Sequence, residues 1–410
     1  MISLAYPPRA FGVSMLAYRQ MKALAGHYRA EFPEGDLPLA VCAPVFAGDK
    51  AEAEPIAGVT EYRFPGYTTP VLRVPRMALS VMAAVRHFRP EVIYCPQYRA
   101  LGPVVYLISR LTGIPYITYF HGTEVVTELG RPVRDSLVKA YARRAYANFA
   151  NSAWTCNLVR ERLLGGKGVV HELPPPIESQ PFQRAYYNRE ENRRHLIPGF
   201  DELESKPLIV LSAGVLSRRK AHDLIASALG HLLKTKPREL PRILWLIAGE
   251  GPERGNIERE CAQQGIQLCS SLKEYGDSSA AVSVYFLGLV PPSAIASIFS
   301  ISDVFVMPSR DDPKSIESYG MVYIEAAAAG VPSIGARVGG VSSAIVDGMT
   351  GVLVPPDDPA SLAQAIFRLL TDDDFRAQAG NAAMKRAVGE LDPNRTIIEL
   401  LQTITEKEHR

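Results

Sequence analysis

Short apolar and β-branched runs alternate along this chain with longer stretches in which apolar positions recur every three or four residues. The runs at 2–6, 39–43, 59–64, 92–95 and 116–120 read as buried strands, being short, continuous and bounded by turn residues. Between them, 14–25 carries Met15, Leu16, Met21 and Leu24 on one helical face, and 104–111 reads as a buried crossover helix. Strands alternating with helices predict a parallel sheet covered on both faces, so the first half is expected to be one doubly wound α/β domain.

A second series of strands follows at 208–213, 243–248, 284–287, 304–307, 333–336 and 351–354, again with amphipathic helices between them. Residues 183–206 are rich in Arg, Glu and Asn and lack a strand pattern, which places the linker near them. The expected division is 1–190 and 191–389, with 390–410 forming a helix that packs back on the first domain. Ligands of parallel α/β sheets bind beyond the carboxyl ends of the strands, so a cleft between two such edges is where chemistry is expected.

At 410 residues the chain exceeds the size at which one core keeps growing, in keeping with two domains. A content of 47% hydrophobic and 21% charged residues excludes a disordered or fibrous chain. No run approaches the roughly 20 uncharged apolar residues of a membrane span, and Pro7 and Pro8 fall where a signal peptide needs an unbroken apolar stretch. A net charge of +2 argues against nucleic acid as the main partner. Five cysteines, an odd number without metal-ligand spacing, point to a reducing compartment, the cytoplasm. The histidines are equally scattered, so no metal is expected. The basic run from Arg73 to Arg89, apolar on a helical period, has two readings: a core helix, or a peripheral contact with a membrane surface.

The most informative segment runs from Met307 to Pro332, where a strand leads through a polar loop into an Ala-rich helix starting near Gly320. The amides of Tyr319, Gly320, Met321 and Val322, beside Ser318 and at the positive end of the helix dipole, would form an anion site suited to a diphosphate. Glu317 and Glu325 are eight residues apart, about 12 Å of rise and roughly 80° of rotation if both are helical. That spacing suits two holders at opposite ends of an extended ligand better than an acid–base pair. A nucleotide sugar has vicinal hydroxyls on both ribose and hexose, and a carboxylate accepts two such hydrogen bonds.

This segment resembles the Glu-x7-Glu signature of glycosyltransferase family 4, retaining enzymes of GT-B fold. Three further stretches, in the family's order, add to the resemblance: Leu211-Ser-Ala-Gly214-Val-Leu-Ser-Arg-Arg-Lys220, Ile247-Ala-Gly249-Glu-Gly251-Pro252 and Val338-Gly339-Gly340. So does Gly348-Met-Thr-Gly351 further on. The resemblance implies that Glu325 binds the ribose and that Glu317 lies at the transferred sugar and its phosphate. It also implies that Lys220 neutralises the diphosphate with an Arg. The family's Arg position is Val215 here, leaving Arg218 or Arg219 to supply that charge. Gly214 would lie against the donor, and the base near Gly288-Leu289-Val290. In the first half, Tyr6-Pro-Pro-Arg-Ala-Phe-Gly12 resembles the family's strand-to-helix loop, with Gly12 keeping the close-approach role. His121, in Phe120-His121-Gly122, would contact the donor sugar.

The function so implied is transfer of a hexose-type sugar, with retention, from a nucleotide sugar (UDP-, GDP- or similar) to a sugar or lipid-linked acceptor, without metal or other cofactor. The alternatives are a GT-B nucleotide-sugar 2-epimerase and a non-catalytic sugar-binding protein. A nicotinamide-dependent dehydrogenase fits least, because no Gly-x-Gly-x-x-Gly follows the first strand.

Overall fold

The computed structural model describes residues 1, 12–45, 55–66, 70–98, 101–128, 132–203, 206–277, 279–312 and 315–408. The chain divides into two compact units, Met1–Pro176 with Leu391–Arg410, and Ile177–Glu390. The strand expected at 2–6 lies outside the described residues.

In the first unit β1 (Ala40–Val45) pairs in parallel with β2 (Thr60–Pro65). A second parallel sheet runs in the order β3 (Ile93–Cys95), β4 (Tyr116–Phe120), β5 (Ala147–Ala150) and β6 (His171–Glu172). On one face, helices 70–88, 101–112, 132–144 and 153–162 bury Met77, Val81, Val105, Ile108 and Tyr141. The apolar side of the 70–88 helix therefore faces the core. Leu79 stays outside, flanked by exposed Arg76 and Arg86. The opposite face is covered by helices Gly12–Arg29 and Pro393–Glu408, which bring Leu16, Met21, Leu24, Ile397 and Leu400 into one cluster.

The second unit holds a seven-stranded all-parallel sheet. Its strands are β7 (Leu208–Ala213), β8 (Ile243–Ala248), β9 (Gln267–Leu268), β10 (Val282–Gly288), β11 (Val304–Met307), β12 (Ser333–Ala336) and β13 (Gly351–Val354). The order is β13-β12-β11-β7-β8-β10-β9. Strand β8, Ile-Leu-Trp-Leu-Ile-Ala, is buried at every position, as a central strand covered on both faces must be.

The chain passes to the second unit at Pro176/Ile177, ahead of the expected 190. The helix Gln180–Tyr187 packs on the helix Pro292–Ser300, with the Phe182 and Phe299 rings 6.1 Å apart. Next along the chain, Arg189 and Arg193 reach back to Asp303, whose carboxylate also accepts the Ile209 amide at 2.7 Å. The polar stretch expected to be a linker thus belongs to the second unit through a buried ion-pair network.

Candidate active site

Because every strand of the second sheet runs the same way, the loops at its carboxyl edge gather on one side. Past the end of β7, the Gly214 amide donates to the Ala248 carbonyl. Past β8, the Gly249 amide donates to Gly288. A Cβ on Gly249 would lie 2.0 Å from the Gly214 carbonyl oxygen, and one on Gly251 would lie 2.3 Å from that of Leu216. The Gly-x-Gly turn is thus required because two loops touch backbone to backbone.

Those loops border a pocket of about 270 Å³ lined by Gly214, Val215, Gly249, Leu289, Val290, Val322 and Glu325, among others. Its walls are apolar apart from Glu325 and Glu250. Val215, at the family's Arg position, is 63% exposed on its rim.

After β7 the chain makes a 3₁₀ turn, Arg218–Lys220, closed by Ala221 in the left-handed region at φ 54°. This turn separates two neighbouring side chains. Arg219 and Lys220 both donate to Glu317 Oε2, Lys220 Nζ at 2.7 Å, whereas Arg218 is exposed. Of the two candidates Arg218 and Arg219, Arg219 meets Glu317 and Arg218 does not. Lys220 Nζ also lies 3.0 Å from Met307 Sδ.

Burial alone would push the Glu317 carboxyl up, but the Lys220 and Arg219 charges outweigh it and hold it below the usual carboxylate range. For Lys220 burial dominates the pull of Glu317, and the ammonium is shifted downward.

Glu317 lies in the loop before the helix, which spans Met321–Ala328. The 12 Å rise expected for a continuous helix does not apply; only the approach to Glu325 is helical. Gly320 precedes the helix at φ 88°, and a Cβ there would lie 2.5 Å from the Tyr323 ring. The Glu317 carbonyl accepts the Gly340 amide at 2.9 Å, and a Cβ on Gly339 would strike that carbonyl at 2.2 Å. The Gly339-Gly340 pair thus braces the Glu317 loop by close backbone contact. Ser318 lies in that loop, and Tyr319 is buried beside it at 2% exposure.

In the first unit, His121 follows β4. Its Nε2 is 2.7 Å from the Pro96 carbonyl, and its amide donates to buried Glu124 at 2.5 Å. A Nε2–H bonded to that carbonyl leaves Nδ1 as the acceptor of the neutral ring. Gly12 opens the helix Gly12–Arg29, and the loop before it lies outside the described residues. Among the described residues no group of His, Cys, Asp or Glu could hold a metal ion. None of their helices is long and apolar enough to cross a membrane.

Two parallel α/β units in tandem define a GT-B fold. Residues 31–180 match the profile of Glycosyltransferase Family 4, and residues 196–386 that of Glycosyl transferases group 1. The D-inositol 3-phosphate glycosyltransferase of Corynebacterium diphtheriae is 30% identical over 315 residues, covering 74% of this chain and 68% of the relative. Its namesake in Nocardia farcinica is 34% identical over 287 residues, covering 70% of this chain but only 58% of the relative. Sucrose-phosphate synthase from Thermosynechococcus elongatus has the same fold, with a TM-score of 0.73 at 20% identity over 99% of this chain and 98% of its own. Anabaena HepE in complex with UDP gives a TM-score of 0.71 at 17% identity, over 99% of both chains. The chain belongs to family 4 of the glycosyltransferases.

Proposed function

We propose that this enzyme moves a hexose-type sugar, with retention, from a nucleoside-diphosphate donor held by the second unit to an acceptor hydroxyl. The observation that carries the reading is the buried contact of Lys220 and Arg219 with Glu317, at the same sheet edge as the pocket containing Glu325. The pocket takes the base against Leu289 and Val290 and the ribose diol against Glu325. The diphosphate then lies over the helix end, at Gly320, Met321 and Val322, within reach of Lys220 and Arg219.

Two cations placed where a diphosphate leaves stabilise its growing charge without reorganising during the reaction. Glu317 keeps both oriented before the donor arrives and accepts hydroxyls of the transferred sugar. In the first unit, which would bind the acceptor, His121 has Nδ1 as an acceptor for a sugar hydroxyl. No step requires a metal.

UDP is the first nucleotide to test, because the related fold of Anabaena HepE binds it. Inositol phosphate, the acceptor in the relatives' name, is the first acceptor to test beside glycan and lipid-linked hydroxyls. The exposed Leu79, between Arg76 and Arg86, is what the 70–88 helix offers a membrane surface. Co-sedimentation with anionic liposomes tests that contact, and no binding retires it.

The decisive experiment combines thermal shift with UDP and GDP sugars and turnover by Glu317→Gln. A binding donor raises the melting temperature by mass action. Glu317→Gln should lower turnover by about 100-fold or more, the scale of a lost preorganised electrostatic group. Unchanged turnover would overturn the site.

A further inference from the structure

The loop following β11 meets the Arg219–Lys220 turn at two points, and Glu317 accounts for only one of them. The other is Arg310. Its backbone amide donates to the Arg219 carbonyl at 2.8 Å. Its guanidinium Nη1 donates to the Arg218 carbonyl and to Asp223 Oδ1, both at 2.9 Å, and Nη2 donates to Asp223 Oδ2 at 2.6 Å. Nε donates to Asp357 Oδ1 at 2.8 Å.

A single guanidinium therefore ties together three segments: the 3₁₀ turn, the start of the helix His222–Thr235 through Asp223, and the loop after β13. Its partners bracket the turn on both sides, with Arg218 before the two cationic side chains and Asp223 after them. Asp357 holds the left-handed region at φ 54°, a conformation costly for a non-glycine residue unless its surroundings fix it. Arg310 touches neither Glu317 nor the pocket lining in any bond described, so it is not part of the anion site itself.

We propose that Arg310 is a positioning residue for the diphosphate site, clamping the 218–220 turn so that Arg219 and Lys220 are aimed before the donor arrives. The inference rests on the proposed role of Lys220. Arg is needed because a planar fork can hold the Asp223 carboxylate with both Nη atoms while Nε holds Asp357; a Lys ammonium has one centre and cannot span them. The turn itself is short, and a turn of this kind has little stiffness of its own. Without the clamp, both cations keep their charge but lose their fixed direction.

The test is a double-mutant cycle on Arg310→Ala and Lys220→Gln, read by calorimetric titration with UDP, GDP and ADP, and with the matching monophosphates. Circular dichroism melts of each variant accompany the titrations. Arg310→Ala should weaken the tightest-binding diphosphate roughly 10- to 100-fold, the range in which supporting hydrogen bonds act on a ligand site. The corresponding monophosphate should weaken much less. In the Lys220→Gln background, Arg310→Ala should cost little more, because residues acting through one another are not additive. Arg310→Lys should recover only part of the loss.

Three outcomes overturn the proposal. One is equal weakening of mono- and diphosphate, which is the mark of a structural role. The second is additivity with Lys220→Gln, and the third is full rescue by Lys. If Lys220→Gln alone leaves diphosphate affinity unchanged, it is the underlying site reading that fails. Should Arg310→Ala melt too low for titration, Asp357→Asn and Asp223→Asn loosen the same clamp from its acceptors and should reproduce the diphosphate-selective loss. No such selectivity in either of them overturns the proposal as well.

Discussion

Lys220 Nζ and Glu317 Oε2 stand 2.7 Å apart, both side chains nearly closed to solvent, although 97 positions separate them in sequence. Neither charge could be buried alone at tolerable cost. Truncation of Glu317 to Ala leaves Lys220 and Arg219 facing each other without a carboxylate, and should destabilise the protein by about 3 kcal/mol or more. Since a bound diphosphate would restore negative charge there, UDP should raise the melting temperature of this variant more than that of the wild type. Equal shifts in differential scanning fluorimetry would mean that the anion sits elsewhere.

His222 opens the helix that follows the turn and is 2% exposed. Neither ring nitrogen has a hydrogen-bond partner among the described residues. Burial, and then the Lys220 charge, lower its pKa from 6.5 to about 4, with Asp223 opposing. Above pH 6.5 the ring is neutral in both folded and unfolded chains and contributes nothing to the pH dependence. As pH falls from 6.5 towards 4, only the unfolded chain takes up the proton, and stability declines by about 3 kcal/mol in total. His222→Leu, which forfeits no hydrogen bond, should flatten the urea-denaturation stability profile across that window; an unchanged slope would assign the acid sensitivity to other groups.

Gly249 is at φ 141°, with the Gly214 carbonyl where a Cβ would go. Gly249→Ala must therefore both strain its own backbone and push the two loops apart, at a cost of about 2 kcal/mol or more. Gly255, at a helix start with only the end of the Arg259 side chain near, is the control: Ala there should leave the melting temperature unchanged or raise it slightly, because alanine is the better helix former.

Asp303 is 7% exposed and binds Arg189, Arg193 and the Ile209 amide. Asp303→Ala would remove the carboxylate facing two arginines, which keep only the Ser302 and Ile301 carbonyls and Glu190, and would leave the buried Ile209 amide unpaired, an expected loss of about 3 kcal/mol. Limited proteolysis should then cut more readily within 189–203, which is held by the Ser300, Ile301 and Ser302 contacts alone. Protection equal to wild type would show that the packing of Phe182 suffices.

The sequence pattern was most legible where the chain is most buried. The runs at 208–213, 243–248, 304–307, 333–336 and 351–354 coincide with β7, β8, β11, β12 and β13, because a strand covered on both faces carries small or apolar residues and no charge. Three strands escaped. Ala147–Ala150 reads Ala-Asn-Phe-Ala and has no β-branched residue, and His171–Glu172 and Gln267–Leu268 are two-residue strands at the sheet edges, too short to show a period. At the site, the family resemblance singled out Lys220, Glu317 and Glu325, but local sequence could not choose between Arg218 and Arg219. Which of the two meets Glu317 depends on a 3₁₀ turn and on Ala221 adopting the left-handed region, for which alanine gives no signal. Arg310 and Asp303 were invisible for a different reason. Their partners lie 87 and up to 114 residues away, and a salt bridge leaves no periodicity behind.

The helix Pro393–Glu408 closes the face of the first unit with Ile397 and Leu400, although the whole of the second unit is made before it. During synthesis the first unit waits, with Leu16, Met21 and Leu24 uncovered on that side, until the second unit has been made. A nascent chain stalled before Leu391 should therefore carry a sticky, chaperone-dependent first unit, until residues 393–408 emerge to cover it.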